Sequence, residues 1–100
     1  MSKEPIYKTA NEYKVSISVV SEDEYQKVEY DKDKFDKLRP LIAETIKNSI
    51  EMNQTICRYD EIAIVNIDVN LSGNYIVSRK TFYKKDEGIT IAYWLSESDF

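Results

Sequence analysis

The chain has 100 residues and a formal net charge of -4, and it contains no histidine, one cysteine and two glycines. Without histidine it cannot form Ser-His-Asp or Cys-His nucleophile pairs, and one thiol is too few for a structural zinc site within one subunit. Gly73 and Gly88 lie too far apart to match a phosphate-binding loop or a dinucleotide fingerprint. We therefore expect a protein that is not an enzyme and that uses no metal and no cofactor.

Length and composition predict one domain, because 100 residues with 42% hydrophobic content suffice for a single core. We expect a flexible N-terminal arm over residues 1 to 12 and a single α+β domain over residues 13 to 100. No apolar run approaches the roughly 20 residues that cross a bilayer, so we expect a cytoplasmic protein. The lone Cys57 fits a reducing compartment, and we interpret it as a small buried hydrophobic residue.

Residues 13 to 19 alternate apolar and polar side chains, which predicts a half-buried strand. The segment that follows allows two interpretations. Ser21 and Glu24 fit a capping box that would begin a short helix. Alternatively, residues 21 to 24 form a hairpin loop that leads into a second strand over residues 25 to 30. We favour the hairpin, because the helix would last barely two turns.

Residues 35 to 52 carry the strongest helix signal. Apolar side chains recur there every three or four positions, at Phe35, Leu38, Leu41, Ile42, Ile46 and Ile50. Proline is best tolerated in the first turn of a helix, where its missing N–H is not needed. We therefore expect Pro40 in the first turn, with residues 35 to 39 forming a separate turn before it.

Residues 63 to 71 show the clearest strand alternation in the chain and lead to a turn signal at Gly73 and Asn74. A two-residue type II' loop at these positions would place Asp68 opposite Arg79 and Asn66 opposite Thr81 in a hairpin. A three-residue loop, which would place Arg79 opposite Ile67, is the alternative.

A second hairpin follows, with a four-residue loop over residues 85 to 88. It predicts that Phe82 pairs with Ile91 and that Arg79 pairs with Trp94, whereas a glycine bulge would exchange the two faces. In the register set by the two-residue loop of the first hairpin, Lys80 faces the core and must extend its ammonium group toward solvent or lie at the end of the sheet.

These elements occur in the order ββαβββ. They predict an α+β two-layer sandwich, in which an antiparallel sheet of about five strands is covered on one face by a single main helix. The other face of the C-terminal strands would carry a candidate partner-binding set: Asn66, Asp68, Asn70, Arg79, Thr81, Tyr83 and Trp94. Arginine, tyrosine and tryptophan are enriched at interface hot spots. The alternative interpretation is an ordinary solvated face with Arg79 lying over Trp94.

A second candidate surface combines cations with aromatic rings, as in sheets that bind single-stranded nucleic acid. It comprises Arg79, Lys80, Phe82, Tyr83, Lys84 and Lys85. Strand alternation divides these cations between two faces and the chain is acidic overall, so we rank this hypothesis second. A third hypothesis is a weak enzyme or small-ligand sensor centred on Asp68 and Arg79.

Our first hypothesis is a small non-catalytic protein that binds and inhibits another macromolecule. An acidic chain with eight tyrosines favours a protein partner with a basic surface, and a homodimer would use the same face. We expect neither a nucleic-acid nor a membrane partner. Small size and the lack of recognisable motifs, rather than physical chemistry, suggest an inhibitor of a host defence or nucleic-acid enzyme encoded by a phage or mobile element, which would act in the host cytoplasm. An immunity protein against a toxin fits equally well.

Overall fold

A computed structural model describes residues 14 to 85 and 88 to 98. The fold is α+β, with one main helix and one mixed sheet of four strands in the described part of the chain. Its elements are β1 (Lys14–Ser21), α1 (Glu22–Gln26), α2 (Lys32–Glu51), β2 (Glu61–Ile64), a short 3-10 helix (Val69–Leu71), β3 (Gly73–Lys85) and β4 (Gly88–Glu97). The predicted arm over residues 1 to 12 lies outside the described residues.

The sheet has the order β1-β4-β3-β2, and β1 runs parallel to β4. The expectation that the sheet is antiparallel throughout is therefore wrong, and the four described strands agree only roughly with the expected number of about five. Parallel neighbours need a long connection, and α2, β2 and β3 provide it between β1 and β4. β1 pairs along its full length with β4, and this pairing buries Val19, which is 6% exposed.

The segment after β1 is the short helix α1, so the predicted second strand over residues 25 to 30 is wrong. Ser21 caps α1, and its hydroxyl accepts a hydrogen bond from the Glu24 N–H at 3.1 Å. The short helix of the alternative interpretation therefore describes this segment, with Ser21 as its N-cap. The helix is stable although short because it packs against β4, as described below for Tyr25 and Trp94.

Helix α2 is continuous from Lys32 to Glu51, so the separate leading turn predicted before Pro40 is wrong. Asp31 caps the helix by accepting a hydrogen bond from the Lys34 N–H at 3.1 Å. Pro40 lies in the helix interior, which costs about 3 kcal/mol through a lost hydrogen bond and a steric clash. Packing outweighs this cost, because the buried face continues on both sides of Pro40 through Phe35, Leu38, Ile42 and Ile46.

The core lies between this face of α2 and one face of the sheet. The sheet contributes Ile62, Tyr75, Val77, Tyr93 and Leu95. Tyr93 and Leu95 are fully buried and flank Trp94, so the alternation of β4 places Trp94 on the opposite face of the sheet. The two faces of β4 thus meet different helices.

The β3–β4 pairing agrees with the sequence prediction. Phe82 pairs with Ile91 and Arg79 pairs with Trp94, and a bulge lies between Val77 and Arg79. The prediction that Lys80 faces the core side is also confirmed: it pairs with the buried Tyr93, and its Nζ donates to the Ile56 carbonyl at 3.3 Å.

The β2–β3 pairing differs from the prediction. β2 ends at Ile64, which pairs with Gly73, and the predicted pairs of Asp68 with Arg79 and of Asn66 with Thr81 do not form. Gly73 and Asn74 belong to β3 rather than to a type II' turn. The observed register places Ile62 opposite Tyr75, at 4% and 1% exposure, and buries both beneath α2.

Among the described residues, no helix combines the length and the hydrophobicity required to cross a membrane.

Candidate interaction site

The connection between β2 and β3, residues 65 to 72, exposes its apolar side chains and is called the aliphatic loop below. Ile67 is 106% exposed, Val65 83% and Val69 75%, and Leu71 is exposed to a smaller extent. Isolated apolar residues on a surface are normal, but a contiguous exposed group usually marks an interaction site.

The polar residues of the aliphatic loop hold its backbone. The Asn66 N–H donates to the Ser72 hydroxyl at 2.8 Å, and the Asn66 side-chain amide donates to the Leu71 carbonyl. The Asp68 carboxylate accepts from the Asn70 N–H and the Asp68 carbonyl accepts from the Leu71 N–H, both at 2.9 Å, and the Ser72 hydroxyl lies 3.2 Å from the same carbonyl. The loop is therefore fixed by its own hydrogen bonds and presents its aliphatic side chains to solvent.

This arrangement divides the candidate partner-binding set. Asn66, Asp68 and Asn70 lie in the aliphatic loop, which joins β3 at Gly73. At about 3.3 Å per strand residue, Arg79 lies roughly 20 Å further along β3. The four other members, Arg79, Thr81, Tyr83 and Trp94, lie on β3 and β4.

Sequence reasoning missed the aliphatic loop because its apolar residues alternate with the period of a strand. The informative signal was the type of the intervening residues. Asn66, Asp68, Asn70 and Ser72 occupy every second position. Asparagine and aspartate are depleted in strands, and all three types are favoured in turns, where their side chains bond nearby backbone groups.

Arg79 and Trp94 form the centre of a second feature, the Arg79–Trp94 cluster. The Arg79 guanidinium carbon lies 3.8 Å from the Trp94 ring centroid and 4.9 Å from that of Tyr25 in α1. Arg79 also pairs with Glu22 at 3.2 Å, and the Trp94 indole N–H donates to the Thr81 hydroxyl at 3.1 Å. The contact of Arg79 over Trp94 that the alternative interpretation named is present, and α1 partly covers the indole.

The second candidate surface, which combines cations with aromatic rings and is called the basic-aromatic segment below, is distributed over both faces of β3. Arg79 is paired with Glu22, while Lys80 points to the core side with its ammonium nitrogen 5.3 Å from the Phe82 ring centroid. By strand alternation Tyr83 lies on the face opposite Phe82, and both rings are exposed. Lys84 is also exposed, whereas the side chain of Lys85 lies outside the described residues.

Asp68 and Arg79 do not form the joint site of the third hypothesis. The Asp68 carboxylate bonds within the aliphatic loop, and the ion-pair partner of Arg79 among the described residues is Glu22. In the same part of the chain, no three cysteine, aspartate or glutamate side chains gather in a way that could hold a metal ion.

The stretch of sequence that contains the aliphatic loop is acidic, but Asp60 and Glu61 precede or begin β2, and only Asp68 belongs to the loop itself. Between Arg58 and Arg79 the sequence contains no lysine or arginine, but it contains Asp60, Glu61 and Asp68. Cys57 lies just before this region and is exposed, so its interpretation as a buried hydrophobic residue is wrong. Its backbone N–H donates to the Asp60 carboxylate at 2.7 Å, which holds the turn before β2.

Comparisons of the chain with models of protein families, with curated protein sequences and with solved structures give no significant match. The functional inference therefore rests on the geometry and chemistry of the sites themselves.

Proposed function

We propose that this protein acts without catalysis by binding another protein through the aliphatic loop, and that it inhibits the partner by occupying its surface. The observation that carries the proposal is the complete exposure of Ile67 on a loop fixed by its own hydrogen bonds. An ordered loop loses little conformational entropy when it binds, so more of its apolar contact contributes to affinity.

The chemistry around the aliphatic loop specifies the partner further. Its apolar side chains suit an apolar pocket, and the Asp68 carboxylate within the loop suits a lysine or arginine at the rim of that pocket. The acidic balance of the chain opposes binding to nucleic acid and to anionic lipid, which both carry phosphate charge. We therefore infer a protein partner with a basic surface, in agreement with the net charge of -4.

We assign the contact to the aliphatic loop rather than to the Arg79–Trp94 cluster. In the cluster, Arg79 pairs with Glu22 of α1 and the Trp94 indole donates to Thr81. The side chains of Val65, Ile67 and Val69, in contrast, contact mainly solvent. An inhibitor of a host defence or nucleic-acid enzyme, or an immunity protein, would act in this way. A cytoplasmic setting is part of the proposal, and the single free Cys57 suits it.

The test compares two exposed apolar residues by affinity capture from cells that express the protein. Ile67→Asp adds a charge at the tip of the aliphatic loop, and Met52→Asp adds the same charge at a site that is 70% exposed after α2. We expect the wild type and the Met52 variant to retain one defined protein that the Ile67 variant loses. Both variants should remain folded because neither side chain is buried, and the Met52 variant should lose at most about 1 kcal/mol because its new charge lies at the negative end of the α2 dipole.

Three results would contradict the proposal. Equal loss in both variants would mean that capture depends on general hydrophobicity. Loss of capture after nuclease treatment would favour the basic-aromatic segment and a nucleic-acid partner. A wild-type dimer that Ile67→Asp converts to a monomer in sedimentation would identify the occupant of the loop as a second copy of this chain.

A further inference from the structure

A cavity of about 260 Å³ lies between the C-terminal turn of α2, the segment that follows it, and the core-side face of β3 and β4. Ile50, Ile56 and Ile91 supply apolar walls, and Lys80 and Tyr93 supply polar groups. It is distinct from the aliphatic loop and from the Arg79–Trp94 cluster, since none of its lining residues belongs to either.

Both polar groups lack a full set of partners within the described chain. Tyr93 is 0% exposed, and its hydroxyl makes no hydrogen bond with any described residue. Lys80 donates to the Ile56 carbonyl at 3.3 Å, and its ammonium nitrogen lies 5.3 Å from the ring centroids of both Phe82 and Tyr93. It forms no ion pair with the described residues, so an anion in the cavity would meet a positive charge that these residues leave unpaired.

We propose that this cavity binds a small monocarboxylate with an apolar chain. The carboxylate accepts hydrogen bonds from the Lys80 ammonium group and the Tyr93 hydroxyl, and the chain lies among the three isoleucines. Burial and the neighbouring Cys57 raise the pKa of Tyr93, so its hydroxyl remains a donor well above neutral pH. A charge-assisted hydrogen bond of this kind is about twice as strong as one between neutral groups.

The surroundings favour a single negative charge over a phosphate group. Lys80 is the one cation among the described residues that line the cavity, and Ile50 lies in the last turn of α2, where the helix dipole is negative. A second negative charge would therefore be repelled. The volume lies just below the roughly 300 to 1,000 Å³ of pockets that take drug-sized ligands, which suits a medium-chain acid.

The experiment is a titration of the full chain with sodium octanoate, followed by methyl-resolved NMR, with 1-octanol and inorganic phosphate as comparison ligands. We expect saturable shifts at the methyl groups of Ile50, Ile56 and Ile91. Octanol should bind about tenfold more weakly than octanoate, and phosphate should not displace octanoate. This mapping uses the wild-type protein, so its result does not depend on whether any variant folds.

Three variants then test the polar groups. Lys80→Met should weaken octanoate binding about tenfold and Tyr93→Phe about fivefold. Lys84→Met removes an exposed cation from the same face of β3 and should leave the affinity unchanged. The proposal would be overturned if octanol and octanoate bound equally well, or if phosphate displaced octanoate. It would also be overturned if Lys80→Met left the affinity for octanoate unchanged, or if the chemical-shift changes were confined to Val65 and Ile67. None of these results depends on whether the aliphatic loop binds a protein.

Discussion

The guanidinium carbon of Arg79 lies 3.8 Å from the ring centroid of Trp94, and the two residues are also direct partners across the β3–β4 ladder. The same guanidinium contacts Tyr25 and Glu22 of α1. One cation therefore joins two strands and a helix too short to be stable alone. Because Trp94 is the one tryptophan of the chain, its fluorescence reports on this cluster.

Arg79→Ala should lower the free energy of unfolding by about 2 to 4 kcal/mol, because it leaves the Glu22 carboxylate, 14% exposed, without its partner. The emission of Trp94 should also shift to longer wavelength as water reaches the indole. Denaturant unfolding followed by fluorescence measures both effects.

Arg39→Ala is the matched control, because Arg39 also lies over an aromatic ring, that of Phe35, but pairs with an exposed Asp36. Arg39→Ala should lower the free energy of unfolding by less than about 1 kcal/mol, as for other surface ion pairs. Equal losses in the two variants would contradict a special role for the Arg79–Trp94 cluster.

Pro40→Ala should raise the free energy of unfolding by about 1 to 3 kcal/mol. Pro40 is exposed within α2, and alanine restores the N–H that can bond the Asp36 carbonyl without changing a buried contact. Urea unfolding tests this, with Lys37→Ala, on the exposed part of the same helix, expected to change stability by less than about 0.5 kcal/mol. A loss of stability in Pro40→Ala would show that the proline fits the helix better than its lost hydrogen bond suggests.

Ser72→Ala should loosen the aliphatic loop without removing any of its aliphatic side chains. The Ser72 hydroxyl accepts from the Asn66 N–H at 2.8 Å, and its loss should cost about 1 kcal/mol. We expect faster hydrogen exchange at the loop amides and, if the proposed function holds, weaker partner binding.

Asn70→Ala serves as the control, because Asn70 contributes its backbone N–H to the loop rather than its side chain. It should leave hydrogen exchange at the other loop amides unchanged. Equal exchange in the Ser72 and Asn70 variants would show that the hydroxyl does not hold the loop.

Stability should fall in alkaline solution because of Tyr75. Burial, with the nearby carboxylates of Glu97, Asp31 and Asp23, raises the pKa of Tyr75 to about 12, compared with 10.0 ordinarily. Below the unfolded-state pKa both states hold the proton, so the contribution of Tyr75 to stability is fully present. As the pH rises from 10 to 12 the unfolded chain loses its proton first, and up to about 2 to 3 kcal/mol is lost.

Tyr75→Phe should reduce this alkaline loss, which urea unfolding near neutral pH and near pH 11 would measure. At neutral pH it should cost little, since the Tyr75 hydroxyl makes no hydrogen bond with the described residues. Tyr59→Phe, at a site that is 69% exposed, should retain the wild-type alkaline loss. An alkaline loss in Tyr75→Phe equal to that of the wild type would contradict the assignment.

Local sequence determined the parts of the fold that depend on near neighbours. The apolar repeat predicted the buried face of α2, because Phe35, Leu38, Ile42 and Ile46 share that face through the helix repeat alone. Counting residues outward from the loop predicted the pairing of Phe82 with Ile91, because the two strands follow one another directly in the chain. Lys80 does lie on the core side as expected, although the type II' hairpin from which that position was predicted does not form.

Tertiary structure decided the features that depend on a distant partner. The alternation of β1 is compatible with any neighbouring strand, and only the assembled sheet offers β4 as a parallel one. Residues 65 to 71 have the pattern of a strand, but α2 buries Ile62 opposite Tyr75, and this register leaves them no strand to pair with. They become a loop held by its own asparagine, aspartate and serine side chains. An alternating pattern specifies two faces, but which face is buried depends on what the rest of the chain packs against it.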